Sequence, residues 1–301
     1  MITLDSLIVH AVLKNDSIVA VAAAADLEVL QAVSTALERE LASFILFDDE
    51  KTLKSMIRTY FPQLSDNTNV SIIHAEDSNH AATLAVKAVS SGSATVLMKG
   101  NLATSAILKA VLNRDYGLRT GKILSHVAAF EVPGFDRLLF ITDAAMNIEP
   151  DLEAKAQIIR NAVATAHACG IQEPIVAPLA AIETVNPAMI PTTDAASLVV
   201  MNRRGQITGC IVDGPFALDN AISEKAAALK GITGDTAGKA DILVVPTIEA
   251  GNILYKSLMY FANAKVGAII QGAKAPIVLT SRADSAESKL YSLALAILST
   301  N

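Results

Sequence analysis

Tryptophan is absent from the 301 residues, and aromatic side chains make up only 4% of them. Stacking on nucleic-acid bases needs exposed aromatic faces, so it is a poor candidate for the main activity. Basic runs are missing as well. Lys and Arg number 24 against 30 Asp and Glu, a formal net charge of −6, which gives no general attraction to a phosphate backbone. The two cysteines, Cys169 and Cys210, are too few for a disulfide framework or a zinc site. The longest unbroken apolar run, residues 18–25, has eight residues, short of the roughly 20 that span a bilayer. The first residues lack the charged start, apolar core and cleavage site of a secretory signal. The expectation is a cytoplasmic protein with neither membrane nor nucleic acid as partner.

Hydrophobic residues form 52% of the chain and the mean hydropathy is +0.42, which excludes a disordered polymer. The length has room for two α/β lobes of about 150 residues each. Short apolar runs at 17–25, 44–47, 70–74 and 94–98 alternate with helical stretches at 27–41, 50–60 and 78–90. That rhythm predicts right-handed βαβ units around a parallel sheet. It breaks at 123–146, where two strand-like runs, 123–132 and 137–141, flank the turn sequence Pro133-Gly134-Phe135-Asp136. Alternation resumes with helix 151–168 and strand 175–179, then strand 241–245, helix 250–262, strands 266–270 and 277–279, and a closing helix 285–299. The predicted organisation is a first lobe of residues 1–129 plus 276–301 and a second of 130–275. The active site is placed in the cleft between them, the default ligand position.

Several common site motifs are absent. No Gly-x-Gly-x-x-Gly follows the first strand, and neither His-Glu-x-x-His nor Gly-x-Ser-x-Gly occurs. The stretch 117–122 resembles a P-loop but is one residue short between its glycines, and Ile123 follows where Ser or Thr would hold magnesium. The histidines at 10, 74, 80, 126 and 167 lack metal-ligand spacing. His126 falls in an apolar strand pattern, the setting of a hydrogen-bonded structural histidine, and both cysteines fit buried, inert positions.

Chemistry collects at the carboxyl ends of predicted strands, where open parallel sheets bind ligands. The run from Asp241 to Lys256 passes from strand through Pro246 into a helix predicted to start at 250–252. Unpaired N–H groups there would attract an anion and Gly251 would let it approach. Asn252 and Lys256, four residues apart, share one face; an ordinary strand–loop–helix with Gly251 packing and Lys256 in solvent fits the same letters. In the run from Lys274 to Glu287, Arg282 is suited to grip a phosphate and Ser281 to donate to an oxyanion. Asp284 and Glu287 are carboxylates at the same corner, and Asp284-x-x-Glu287 also has the form of a capping box. Asp213-Gly214-Pro215 closes another strand, either as a ligand-side turn or a plain one. Thr142-Asp143-Ala144-Ala145-Met146-Asn147 closes a fourth.

These four blocks, in this order, resemble the phosphate acetyl/butyryltransferase family, and the resemblance runs from about Thr95 to the C-terminus. Residues 116–127 and Ala283-Asp284-Ser285-Ala286-Glu287 are similar to its butyryl branch. The resemblance implies the two-lobed isocitrate/isopropylmalate dehydrogenase-like (phosphotransacetylase) fold used without nicotinamide, and a homodimer or larger homo-oligomer. It implies reversible transfer of a short acyl group between coenzyme A and inorganic phosphate, with butyryl-CoA and phosphate as substrates, coenzyme A as a substrate and no tightly bound cofactor or metal. Ser281 and Arg282 would bind coenzyme A and the acyl phosphate. Acetyl-specific members carry an aspartate base seven residues after that serine; here Ser288 stands there, and Asp284 or Glu287 would have to substitute.

The chemistry asks for the same residue types. Thiolate attack on an acyl phosphate passes through an anionic transition state, which needs cations, N–H donors and an oxyanion donor. Arg282, Lys256, the Gly251–Asn252 helix start and Ser281 supply them. Lys99, Arg119 and Lys122 are candidates for the coenzyme A phosphates, and the turn at Asp213 for the substrate edge. The competing readings are an acetyl-transferring member of the family, a metal-dependent 2-hydroxyacid dehydrogenase with clustered aspartates, and a non-catalytic coenzyme A- or phosphate-binding protein.

Overall fold

A computed structural model describes residues 2–14, 16–279 and 285–300. In chain order its elements are α1 (Leu4–Val12), β1 (Ile18–Ala22), α2 (Leu27–Glu38), β2 (Ser43–Asp48), α3 (Glu50–Tyr60), β3 (Val70–His74), α4 (Ser78–Ser90), β4 (Val96–Lys99) and α5 (Thr104–Val111). There follow β5 (Ser125–Glu131), β6 (Leu139–Thr142), α6 (Leu152–Ala168), β7 (Ile175–Pro178), α7 (Ile190–Arg203), β8 (Ile211–Val212), α8 (Leu218–Ile222) and α9 (Glu224–Leu229). The last are β9 (Ile242–Val244), α10 (Ile248–Tyr260), β10 (Lys265–Gln271), β11 (Ile277–Val278) and α11 (Ala286–Leu298). None of the described helices is long and apolar enough to cross a membrane.

The chain divides into two compact units, Asp5–Lys122 with Gly267–Asn301, and Met1–Leu4 with Ile123–Val266. In the first, strands run β3-β2-β1-β4-β11-β10, parallel except for β10. Central β1 and β4 are apolar almost throughout because helices cover both faces. Asp26, Asp49 and Asp77 close the turns after β1, β2 and β3 by accepting N–H groups of the following helix. At the end of β4 a Cβ on Gly100 would lie 2.1 Å from the Ala23 carbonyl oxygen, so only glycine lets these strand ends meet.

In the second unit the order is β5-β6-β9-β7-β8. β5 and β6 form the antiparallel pair expected around Pro133-Gly134, and β6, β9, β7 and β8 are parallel. Two differences from the sequence reading have simple causes. That reading assigns no element before residue 17, yet Leu4, Leu7, Ile8 and Ala11 recur at helical spacing and are buried along α1. Helix α10 begins at Ile248, not at 250–252: Thr247 after Pro246 is extended and occupies the N-cap position, so the helix starts at once.

Asp241 stands at the amino end of β9, where its Oδ2 accepts the Ile175 N–H at 2.8 Å. Burial pushes its carboxyl above the ordinary 3.8, against the opposing effects of that hydrogen bond and of Arg137. The folded chain therefore binds this proton more readily than the unfolded one. Stability attributable to Asp241 falls as pH rises through the window above 3.8, and the deficit persists at neutral pH. Asp241→Asn keeps an acceptor for Ile175 and removes the buried charge. We expect a higher melting temperature than the parent at pH 7 and a difference that closes toward pH 3; a lower value at pH 7 would contradict the assignment.

Candidate active site

Thr142, Val244 and Pro178 lie in register at the carboxyl ends of β6, β9 and β7. The residue after Thr142 is Asp143, 2% exposed. Its Oδ1 accepts the N–H groups of Ala145 and Met146, both at 2.9 Å, and its Oδ2 accepts Asn147 Nδ2 at 2.6 Å. Asn147 Nδ2 also donates to the Leu124 carbonyl at 2.9 Å. A buried carboxylate is tolerated only with such partners, and here they shape the turn that α10 lies on. A Cβ on Gly251 would fall 2.6 Å from the Asp143 carbonyl oxygen and 2.9 Å from Ala144 Cα. The Gly251 N–H donates to the Thr247 carbonyl within the helix, at 3.1 Å. Gly251 thus serves the close approach of α10 to residues 143–144.

Asn252 and Lys256 are exposed on one face of α10. Between them and the strands, the half-buried Tyr255 ring stands edge-on to Phe130 at 5.1 Å and to His126 at 5.8 Å. Asp213, just after β8, accepts the Gly214 N–H at 2.9 Å on Oδ1, which holds its own turn, and the Thr236 hydroxyl on Oδ2, which ties that turn to a distant loop. It sits three strands away from Asp143 in the order β6-β9-β7-β8. Asp213 and Asp241 stand at opposite ends of their strands. The aspartate cluster required by the dehydrogenase reading is not formed by them, and among the described residues no group of three or more His, Cys, Asp or Glu could hold a metal ion.

In the other unit, Lys99 ends β4, is 8% exposed and donates to the Gly100 carbonyl at 3.1 Å. β11 runs parallel beside it with Val278 opposite Met98, so the chain leaves Leu279 at the same carboxyl edge. Ser281, Arg282 and Asp284 lie outside the described residues. Where the description resumes, the helix is capped by Ser285 and not by the capping box expected of Asp284 and Glu287. Ser285 caps α11, accepting the Ser288 N–H at 3.1 Å, and Glu287 Oε1 accepts the Tyr291 hydroxyl at 2.8 Å. The Ser285 hydroxyl reaches the third N–H of the helix, the usual bond of an N-cap serine. Ser288, the position seven residues after Ser281, is buried and contacts the Ser285 hydroxyl at 3.1 Å. Arg119 is exposed on a loop fixed to residues 272–274 by the Lys274 N–H on the Leu118 carbonyl at 2.8 Å and by the Thr120 hydroxyl on the Gly272 carbonyl. An open groove of about 530 Å³ lies between α2 and α11, lined by Leu27, Tyr60, Phe61 and the Glu28–Lys289 ion pair, 2.7 Å apart.

The Asp143 network, the Tyr255 ring and this groove were all missed by sequence reasoning. The block 142–147 pointed to the first without showing which atoms it joins; nothing in the spacing signals the other two.

Burial alone pushes the Cys169 thiol up to about 12, and burial with the nearby Glu173 charge pushes Cys210 to about 11. Neither is a thiolate near neutrality, so neither is a ready nucleophile. The folded chain should release no thionitrobenzoate from Ellman's reagent at pH 8, and both thiols should titrate in guanidinium; rapid reaction of the native chain would contradict their placement. For Gly251→Ala, overpacking against main chain should cost about 1–3 kcal/mol, read as a lower denaturation midpoint. An unchanged midpoint would mean that α10 does not press on residues 143–144.

The family model described as phosphate acetyl/butaryl transferase matches residues 49–297. A protein of Bacillus subtilis (strain 168) named "Probable phosphate butyryltransferase" is 58% identical over 294 residues, 98% of this chain and 97% of that one. A Thermotoga maritima protein named "Phosphate acetyltransferase" is 49% identical over 276 residues, 92% of each chain. The crystal structure of a branched-chain phosphotransacylase from Enterococcus faecalis V583 matches with a TM-score of 0.83 at 39% identity, covering 94% of this chain and 98% of that one. The α/β architecture is thus that of the phosphotransacylases. With strand ends, signature blocks and full-length relatives in agreement, the chain belongs to the phosphate acetyl/butyryltransferase family of acyltransferases.

Proposed function

We propose that this chain moves a butyryl group reversibly between coenzyme A and inorganic phosphate, by direct attack in a ternary complex. The observation that carries this reading is the seating of α10: Gly251 lays it on the Asp143 turn, and Asn252 and Lys256 face outward beside the carboxyl ends of β6 and β9. The amide and ammonium supply donor and charge for a phosphate dianion. Ser281 and Arg282, carried over from the family resemblance, hold the reacting carbonyl and phosphoryl oxygens, and Asp284 takes the thiol proton. Lys99 and Arg119 are assigned to the phosphates of coenzyme A, and Asp213 supports its turn at the substrate edge.

In the direction of thioester synthesis, the coenzyme A sulfur attacks the acyl carbon, the carbonyl oxygen gains negative charge, and the carbon–oxygen bond to phosphate breaks. Positioned donors and cations stabilise that charge without moving. Two buried, protonated thiols favour direct transfer over an acyl-cysteine intermediate. Coenzyme A enters as a substrate, and no resident cofactor or metal has a part in these steps. The chain works in the cytoplasm as a homodimer or larger homo-oligomer.

One or two methylenes discriminate between acyl groups by only about 1–3 kcal/mol, so the acyl preference is settled by rates. Purified protein incubated with butyryl-CoA or acetyl-CoA should release free thiol only when phosphate is present, and faster with butyryl-CoA. Faster release with acetyl-CoA would make the chain an acetyl-transferring member. No phosphate-dependent release from either would overturn the transfer reading and favour a coenzyme A-binding protein. Arg282→Ala should reduce turnover by about 10²-fold or more, the usual loss on removing a group that stabilises developing charge.

A further inference from the structure

We propose that the His126 imidazole is a contact of the phosphate substrate, acting beside Asn252 and Lys256 of α10. The inference rests on the phosphate-dependent transfer proposed above. From the sequence His126 looked like a structural residue in an apolar strand; its position gives it another use. β5 is antiparallel to β6 with Ala128 opposite Ile141, so His126, near the start of β5, is level with the end of β6. That is the edge where Thr142, Val244 and Pro178 align.

A closed circuit of contacts surrounds this spot. The Thr142 hydroxyl donates to the His126 carbonyl at 2.8 Å. Asp143 follows Thr142, and its carbonyl meets Gly251. Asn252 follows Gly251, and Tyr255, one turn further on, brings its ring edge-on to His126. Alternate β5 residues share a face, and Tyr255 lies across that face from the deeply buried Phe130 to the half-buried His126. A helix turns about 100° per residue, so Asn252 stands about 60° round the axis from Tyr255 and Lys256 about 40° beyond Asn252. Imidazole, amide and ammonium are thus arrayed around one corner of the helix and strand.

The backbone leading to His126 is held by side chains at each residue from 123 to 126. Gln157 Oε1 accepts the Ile123 N–H at 3.1 Å, Asn161 Nδ2 donates to the Ile123 carbonyl at 3.0 Å and to the Ser125 hydroxyl at 2.8 Å, and Asn147 Nδ2 donates to the Leu124 carbonyl. With Thr142 this makes a set of side chains from α6, the 143–147 turn and β6 acting on four successive residues. Buried polar networks of this kind rigidify what they hold. Among the described residues, the ionisable groups on this side of His126 include the Tyr255 phenol from α10 and, beyond Thr142, the Asp143 carboxylate, whose hydrogen bonds run to its own turn. An imidazole N–H is a donor suited to an anion with several acceptor oxygens.

The test compares His126→Phe, which keeps a ring against Tyr255 but has no nitrogen, with His126→Gln, which keeps a donor. Steady-state rates of the full-length protein with phosphate and butyryl-CoA varied in turn give both KM values, and calorimetric titration with inorganic phosphate gives binding directly. His126→Phe should raise the phosphate KM by about tenfold or more, the effect of one hydrogen bond to a charged partner, while the butyryl-CoA KM and melting temperature hold. His126→Gln should recover part of the loss. An unchanged phosphate KM in folded His126→Phe, or an equal rise in both KM values, would overturn the proposal. Should the wild type itself show no phosphate-dependent turnover, the transfer reading fails separately. Calorimetry would then decide this one: weaker phosphate binding by His126→Phe upholds the contact, and equal binding refutes it.

Discussion

A carboxylate with no access to water must be fully hydrogen-bonded or it destabilises the fold, and Asp143 meets that demand by shaping everything next to it. Two main-chain N–H groups and the Asn147 amide converge on it. Through Asn147 the constraint reaches Leu124, and through the bare Cα of Gly251 it reaches α10. The helix can lie on the Asp143–Ala144 main chain only because residue 251 has no side chain. The outward face of α10, with its amide and ammonium, thus takes its position from a group at the end of a different strand. Thr142 adds a link in the other direction, to the start of β5.

This arrangement suits chemistry in which charge appears on oxygen and is met by donors already in place. The reaction asks little of the protein in covalent terms, since coenzyme A brings its own thiol and phosphate its own nucleophilic oxygen. The two protein thiols are kept protonated by burial. What remains for the chain is to hold two anions and one carbonyl at short range, which is a task of geometry and electrostatics.

Much of the strand–helix alternation was legible from the sequence, and for local reasons. Buried parallel strands must be nearly continuous apolar runs, and Asp26, Asp49, Asp77 and Asp151 mark helix starts because a short carboxylate closes them best. Helix α1 carries the same periodic signal in Leu4, Leu7, Ile8 and Ala11, in a segment too short for the pattern to stand out. The site was less readable. Gly251 could be singled out, but whether its missing side chain admits a ligand or a carbonyl depends on a turn more than 100 residues earlier in the chain, which no local pattern encodes. Ser285 takes the cap expected of Asp284: both residue types cap helices well, and adjacent candidates leave the exact start of the helix open in the sequence. Tyr255 and His126 lie far apart in the chain and meet only through the packing of α10 on β5, which no local spacing encodes.

The central claim, direct transfer between coenzyme A and phosphate with both bound, is tested most directly by initial rates over a grid of butyryl-CoA and phosphate concentrations, combined with exchange of labelled coenzyme A into butyryl-CoA in the absence of phosphate. The account predicts double-reciprocal lines that intersect and no exchange until phosphate is added. Parallel lines with rapid phosphate-independent exchange would reveal a covalent acyl-enzyme and contradict it.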